Sequence, residues 1–252
     1  MVLQNNTILI TGGSSGIGLE LAKRFIEKNN KVLICGRTLE KLKRAKQKLP
    51  DLQYLQCDIS NPEDCKRLRN WVRENHPHCN VLINNAAIVH IENFYRDDDI
   101  LDKAEAEIKT NLMAPIRLSK LLVPILNSNK NPAIIAITTG LVYVPRIIYP
   151  FYNATKSALH SFVQVLRSQS SDSLIDVIEV QFPAVDTPWH KGNPPDIAIS
   201  AEEAVKKMIK GIEKGDQVVR VGKAKLLYLL SRLSPNFAFR KLNNLSTDGT
   251  GK

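Results

Sequence analysis

Apolar runs of four to six residues alternate along this chain with longer amphipathic stretches, and this alternation restricts the fold more than any other feature. Residues 7–11, 32–35, 52–57, 81–84, 133–138, 177–182 and 218–221 read as strands. Residues 18–29, 39–48, 62–75, 100–127 and 151–170 read as helices, and Ser200-Ala201-Glu202-Glu203 reads as a capping box opening another that ends near Lys214. Short strands separated by helices of this length require parallel pairing through right-handed crossovers. Val81-Leu82-Ile83 and the run 133–137 are continuously apolar, as expected of strands buried on both faces. The predicted fold is α/β: a single-domain, Rossmann-like, doubly wound parallel sheet of about seven strands spanning 1–252. Ligands of such sheets bind at the carboxyl ends of the strands, where the strand order reverses.

Composition narrows the functional classes. At 252 residues with 43% hydrophobic content, the chain suits one large domain with a sizeable core. Cys35, Cys57, Cys65 and Cys79 have no metal-ligand spacing, so no metal site is expected. Cys35 and Cys57 lie in strand-like runs and read as buried thiols, which suits a reducing, cytoplasmic compartment. The N-terminus lacks the pattern of a secretory signal, and no apolar run reaches the length of a spanning helix.

The net charge of +10 raises the question of an anionic partner. Lys41, Lys43, Arg44, Lys46 and Lys48 form one cluster, readable as a solvated helix face or as an attractor of phosphate. Between Gln217 and Thr247 lie six basic residues and no acid. Nucleic acid is not an expected partner, because no recognition motif or base-stacking aromatic pattern accompanies the charge. The basic, leucine-rich segment at about 223–245 admits two readings. It either lies on an anionic membrane surface or packs its leucine stripe against the sheet or a partner subunit.

After the first strand comes Thr11-Gly12-Gly13-Ser14-Ser15-Gly16-Ile17-Gly18, opening a helix. Glycines let the backbone approach a diphosphate, and the helix N-terminus offers it unpaired N–H groups. The end of the second strand, Cys35-Gly36-Arg37-Thr38, holds no carboxylate to bond a ribose 2′-hydroxyl. Arg37 instead offers a planar fork suited to a 2′-phosphate, unless it is only a surface arginine beginning a basic helix. NADP(H) is therefore the expected cofactor.

The T-G-x-x-x-G-x-G turn resembles that of the short-chain dehydrogenase/reductase family, and the resemblance extends along nearly the whole chain. Asn84-Asn85-Ala86-Ala87 resembles the family's N-N-A-G segment with Ala87 in place of glycine; Tyr152-Asn153-Ala154-Thr155-Lys156 matches Y-x-x-x-K. Pro183-Ala184-Val185-Asp186-Thr187 is similar to P-G-x-V-x-T, with Ala184 replacing glycine. Gly140-Leu141-Val142 and the Pro-Ala-Val-Asp-Thr segment further resemble the oxidoreductases of D-alanine transfer (teichoic acid) operons.

The resemblance implies hydride transfer between nicotinamide and a carbonyl or alcohol substrate. Tyr152 would be the general acid/base, with Lys156 four residues on and so on the same helix face. The neighbouring ammonium is expected to lower the phenol pKa. Thr139 stands thirteen residues before Tyr152, where the family has serine, and retains the hydroxyl. Asn111 matches the catalytic asparagine, expected to order a proton-relay water or else to bond neighbouring backbone. Asp58 and Ile59 are expected against the adenine; Pro183, Ala184, Val185 and Thr187 are expected beside the nicotinamide, with Thr187 also a candidate phosphate contact. Residues 88–99, 141–149 and 188–199 are the expected substrate walls, with His90, Phe94, Tyr95, Trp189 and His190 as pocket or loop-packing groups. A homodimer or homotetramer is implied, through 100–127 and the helix carrying Tyr152. Opposed to the enzyme stands a non-catalytic NADP(H)-binding protein with a sensory or membrane-surface role.

Overall fold

The computed structural model describes residues 2–170 and 173–244. Its strands are β1 (Thr7–Thr11), β2 (Lys31–Gly36), β3 (Gln53–Gln56), β4 (Cys79–Asn84), β5 (Ala133–Thr139), β6 (Asp176–Phe182), β7 (Val185–Asp186), β8 (Ile199–Ser200) and β9 (Val218–Arg220). The α-helices are α1 (Gly16–Glu27), α2 (Leu39–Lys48), α3 (Pro62–Asn75), α4 (Ile100–Glu107), α5 (Ala114–Asn127), α6 (Pro150–Gln169), α7 (Ala201–Glu213), α8 (Lys223–Leu233) and α9 (Pro235–Asn243).

Seven strands pair in parallel in the order β3-β2-β1-β4-β5-β6-β9, the doubly wound sheet expected from the alternation. The order reverses between β1 and β4, which opens a crevice above their carboxyl ends. Strand alternation divides the core in two. Ile8 and Ile10 pack with Leu21, Phe25 and Met208 on one face; Leu9 packs with Leu68, Leu118 and Leu159 on the other. Helix starts follow local chemistry. Asn61 Oδ1 accepts from the Glu63 and Asp64 N–H groups ahead of α3, with Pro62 at its first position. The Ser200 hydroxyl accepts from Glu203 N–H, as the capping box requires.

The helix expected over 100–127 is interrupted. A π-helical segment, Ile108–Met113, separates α4 from α5 and carries Asn111. Such segments concentrate at functional sites because the altered register re-aims side chains. Helix α1 begins at Gly16 rather than Gly18, so the glycine turn forms its first turn. The leucines of the basic segment have two environments. Leu227 and Leu230 cover a small cluster of Val144, Ala238 and Leu242, while Leu226, Leu229 and Leu233 are exposed. Residue 245, at the end of that segment, lies outside the described residues. All four cysteines are buried and free. No helix among the described residues is long and apolar enough to cross a membrane.

Candidate active site

A cleft of about 930 Å³ occupies the crevice, at the upper end of the roughly 300–1,000 Å³ range of ligand pockets. The glycine turn forms one end. Gly16 has φ +52°, a left-handed conformation in which a side chain is strained. A Cβ on Gly18 would stand 2.2 Å from the Gly12 carbonyl oxygen. Ser15 takes the N-cap position of α1 without capping it by its side chain. The turn is braced from β4: Asn85 and Ala86 N–H groups each donate to Thr11 Oγ1 at 3.0 Å, and the Asn85 amide donates to the Thr11 carbonyl at 2.9 Å. A tight, side-chain-free cradle at a helix N-terminus fits a dinucleotide diphosphate.

The expected cofactor-binding residues converge on this cleft. Gly12, Ser14, Ser15, Gly16, Ile17, Gly18, Arg37, Asp58, Ile59, Asn85, Ala86 and Ala87 line it, as do Pro183, Ala184, Val185 and Thr187. Lys41 of the basic helix α2 joins Arg37 there. The Asp58 carboxylate accepts from the Ser60 N–H and hydroxyl, which holds the β3 terminus in shape.

Tyr152, Lys156 and Thr139 line the same cleft. Lys156 Nζ donates to the Ile137 carbonyl at 2.8 Å and lies 5.9 Å from the centre of the Tyr152 ring. Burial brings the Lys156 ammonium down to about 8, opposed by the charges of Glu107 and Glu179. The depressed phenol expected for Tyr152 is corrected by the geometry. Burial holds the phenol above its ordinary value, aided by Glu107 and Tyr149, so Tyr152 is a protonated donor across the neutral range. The adjacent threonines have separate partners. Thr139 Oγ1 accepts from Leu141 N–H at 3.3 Å, leaving its own proton to donate, whereas Thr138 donates to the buried Glu179.

Asn111 is fully buried and does not line the cleft directly. Its Oδ1 accepts from Ile88 N–H at 2.9 Å and its Nδ2 donates to the Ile88 carbonyl at 2.7 Å, with Thr155 Oγ1 at 3.3 Å. The amide thus ties the 88–90 wall to the helix carrying Tyr152.

One pair beside it escaped sequence reasoning. Glu107, with no exposed surface, accepts from the His90 N–H at 2.8 Å and meets His90 Nδ1 at 2.9 Å. Burial raises the Glu107 carboxyl above its usual range. The available signal was its spacing, since Glu107 stands one helical turn before Asn111. Of the aromatic candidates, Trp189 and His190 line the cleft, and Trp189 Nε1 donates to the Val89 carbonyl at 3.3 Å. Phe94 and Tyr95 do not; Tyr95 is 94% exposed. Helices α8 and α9 supply a wall no sequence argument assigned to the pocket, including Leu226, Leu227, Leu230 and Leu242. No group of His, Cys, Asp and Glu able to hold a metal occurs among the described residues.

Comparison with known proteins agrees with this architecture. The sequence pattern of short chain dehydrogenases matches residues 6–198. An uncharacterized oxidoreductase of Bacillus subtilis (strain 168), DltE, is 39% identical over 248 residues, covering 96% of this chain and 98% of its own length. A short chain dehydrogenase from Burkholderia cenocepacia, solved in complex with NADP, superposes with a TM-score of 0.85 at 23% identity, over 96% of this chain and 99% of its own. A Burkholderia phymatum short chain dehydrogenase/reductase in complex with NAD superposes at 0.83 with 15% identity, over the full length of both. With its sheet order, its glycine cradle and a relative matching end to end, this chain belongs to the short-chain dehydrogenase/reductase family of oxidoreductases.

Proposed function

We propose that the protein is an NADP(H)-dependent oxidoreductase acting between a carbonyl and an alcohol, with Tyr152 as general acid/base. The observation that carries this reading is the convergence of Tyr152, Lys156 and Thr139 in one cleft with a diphosphate cradle at its other end. When bound there, the nicotinamide supplies or accepts the hydride. Thr139 holds the substrate oxygen through its free hydroxyl proton, and Tyr152 delivers a proton to that oxygen. Lys156, fixed by the Ile137 carbonyl, keeps further protons for the cofactor ribose. Asn111 serves the proton path to Lys156 through a water. In an α-helix its carbonyl would bond the N–H of residue 115, and Pro115 has none, so that oxygen has no α-helical donor.

Arg37 and Lys41 support the choice of NADP(H), because both are cations lining the cleft at the end of β2, where no carboxylate competes. The neighbours named above bind NADP in one case and NAD in the other, so the residues of this chain carry the choice. Exposed Leu101, Ile108 and Met113 along α4–α5, and Val165 on α6, support assembly as a homodimer or homotetramer through those helices. We infer one domain over 1–252 and a cytoplasmic setting, the latter supported by four free buried thiols.

The test is NADPH oxidation against a panel of aldehydes, ketones and diketones, with dissociation constants for NADPH and NADH at moderate salt. Turnover with tighter NADPH binding is expected. Tighter NADH binding would overturn the cofactor choice, and tight NADPH binding without turnover on any carbonyl would favour the non-catalytic role. Thr139→Val is expected to lower turnover by about 10²-fold, the scale for losing one donor to a developing oxyanion; an unchanged rate would reject the role of Thr139.

The pH profile has a definite sign. Reduction needs the Lys156 ammonium, so the rate is expected to fall as pH rises through about 8. The Glu107 charge favours that ammonium and disfavours the Tyr152 phenolate. Glu107→Gln is therefore expected to move the alkaline limb of kcat to lower pH. Profiles that superimpose would show that Glu107 serves packing alone.

A further inference from the structure

The cleft that holds Tyr152 and Thr139 is also lined by the 140–149 segment, α8 and α9. The wall is firmly held. Asn243 Oδ1 accepts from Ile147 N–H at 2.7 Å, and its Nδ2 donates to the Pro145 carbonyl at 3.1 Å. Inside, Leu141, Leu226, Leu227, Leu230 and Leu242 present an apolar surface. Lys223, at the first position of α8, and Lys241, in the last turn of α9, line it as well, together with Arg146. The one carboxylate among the described lining residues is that of Asp58, which follows β3 at the other end of the sheet's crevice.

Aliphatic walls bordered by cations, with no acid facing them, are complementary to an aliphatic body that ends in an anion. A cationic substrate would be repelled there, and a neutral one would leave the lysines without a partner from the ligand. We propose that the substrate is a carbonyl or alcohol compound with an aliphatic body and a carboxylate terminus, the body lying on the α8 and α9 leucines and the carboxylate meeting Lys223 and Lys241. The proposal names the substrate class of the oxidoreductase site and rests on that reading.

The test compares a medium-chain keto acid with its methyl ester as substrates, in the native protein and in the double variant Lys223→Gln/Lys241→Gln. The native enzyme is expected to prefer the acid in kcat/KM by about tenfold, through KM, with the preference shrinking as salt is raised. In the double variant the acid-to-ester ratio is expected to fall toward one. Calorimetric binding of decanoate and of decanol to the NADP-loaded protein gives a readout that needs no turnover. Decanoate is expected to weaken about tenfold in the variant and decanol to change little. Equal native rates for acid and ester, or decanoate binding unaltered by the variant, would overturn the proposal. Charge-dependent decanoate binding without reduction of either carbonyl compound would support the anion-binding pocket and overturn the carbonyl-reductase reading instead.

Discussion

Tyr152→Phe is expected to lower carbonyl reduction by about 10²–10⁴-fold, the range for removing a positioned general acid. The substitution keeps the ring, which packs edge to face with Tyr149 at a centroid distance of 6.3 Å, and removes only the hydroxyl. Because burial holds that phenol above its ordinary value, it is the protonated form that is lost, and reduction is the direction most affected. Lys156 retains its bond to the Ile137 carbonyl, so NADPH binding is expected to stay within about threefold of native, a change of under about 0.7 kcal/mol. Steady-state rates beside a cofactor titration check both statements. A variant that still turns over at the native rate would remove Tyr152 from the chemistry.

The second large effect is structural. Gly18→Ala places a methyl group 2.2 Å from the Gly12 carbonyl oxygen and 2.7 Å from Asn85 Nδ2. Both neighbours are constrained, since the oxygen belongs to the turn backbone and the amide is bonded to the Thr11 carbonyl. Relief requires α1 to move away from the turn, at a cost of about 1–3 kcal/mol for overpacking. A shift of roughly 2–4 °C in Tm accompanies each kcal/mol in a domain of this size. Displacing the helix start also removes its N–H groups from the diphosphate, so NADPH affinity is expected to fall at least about tenfold. Thermal melting with and without NADPH separates the two contributions: the native protein gains stability from the cofactor and the variant gains much less. Native melting and native affinity in Gly18→Ala would show that the turn yields freely and that the cradle is not the binding site.

The pairing of Glu107 with His90 illustrates a different kind of residue. Glutamine keeps the oxygen that accepts from His90 N–H, and is therefore the substitution that isolates charge from packing. Glu107 is also the last residue of α4 before the π segment. Glu107 and Asn111 both reach the 88–90 wall, and the π register between α4 and α5 spans the segment carrying Asn111. Pro115, which withholds an N–H from that segment, was the local sign of the irregularity.

Local chemistry, readable without coordinates, determined the strand and helix alternation, the capping of α3 and α7, and the parallel sheet that follows from long crossovers. The family resemblance indicated which side chains belong together, and the glycine turn, Arg37, Tyr152 and Lys156 do line one cleft. Only the tertiary structure decided the protonation balance of Tyr152, since burial, with Glu107 and Tyr149 nearby, holds the phenol above its ordinary value. It likewise decided which of two adjacent threonines lining the cleft keeps its hydroxyl proton free, and that α8 and α9 fold over the pocket. Desolvation and long-range packing depend on what surrounds a residue in three dimensions. A linear pattern holds the periodicity of each element, not the neighbours its faces will meet.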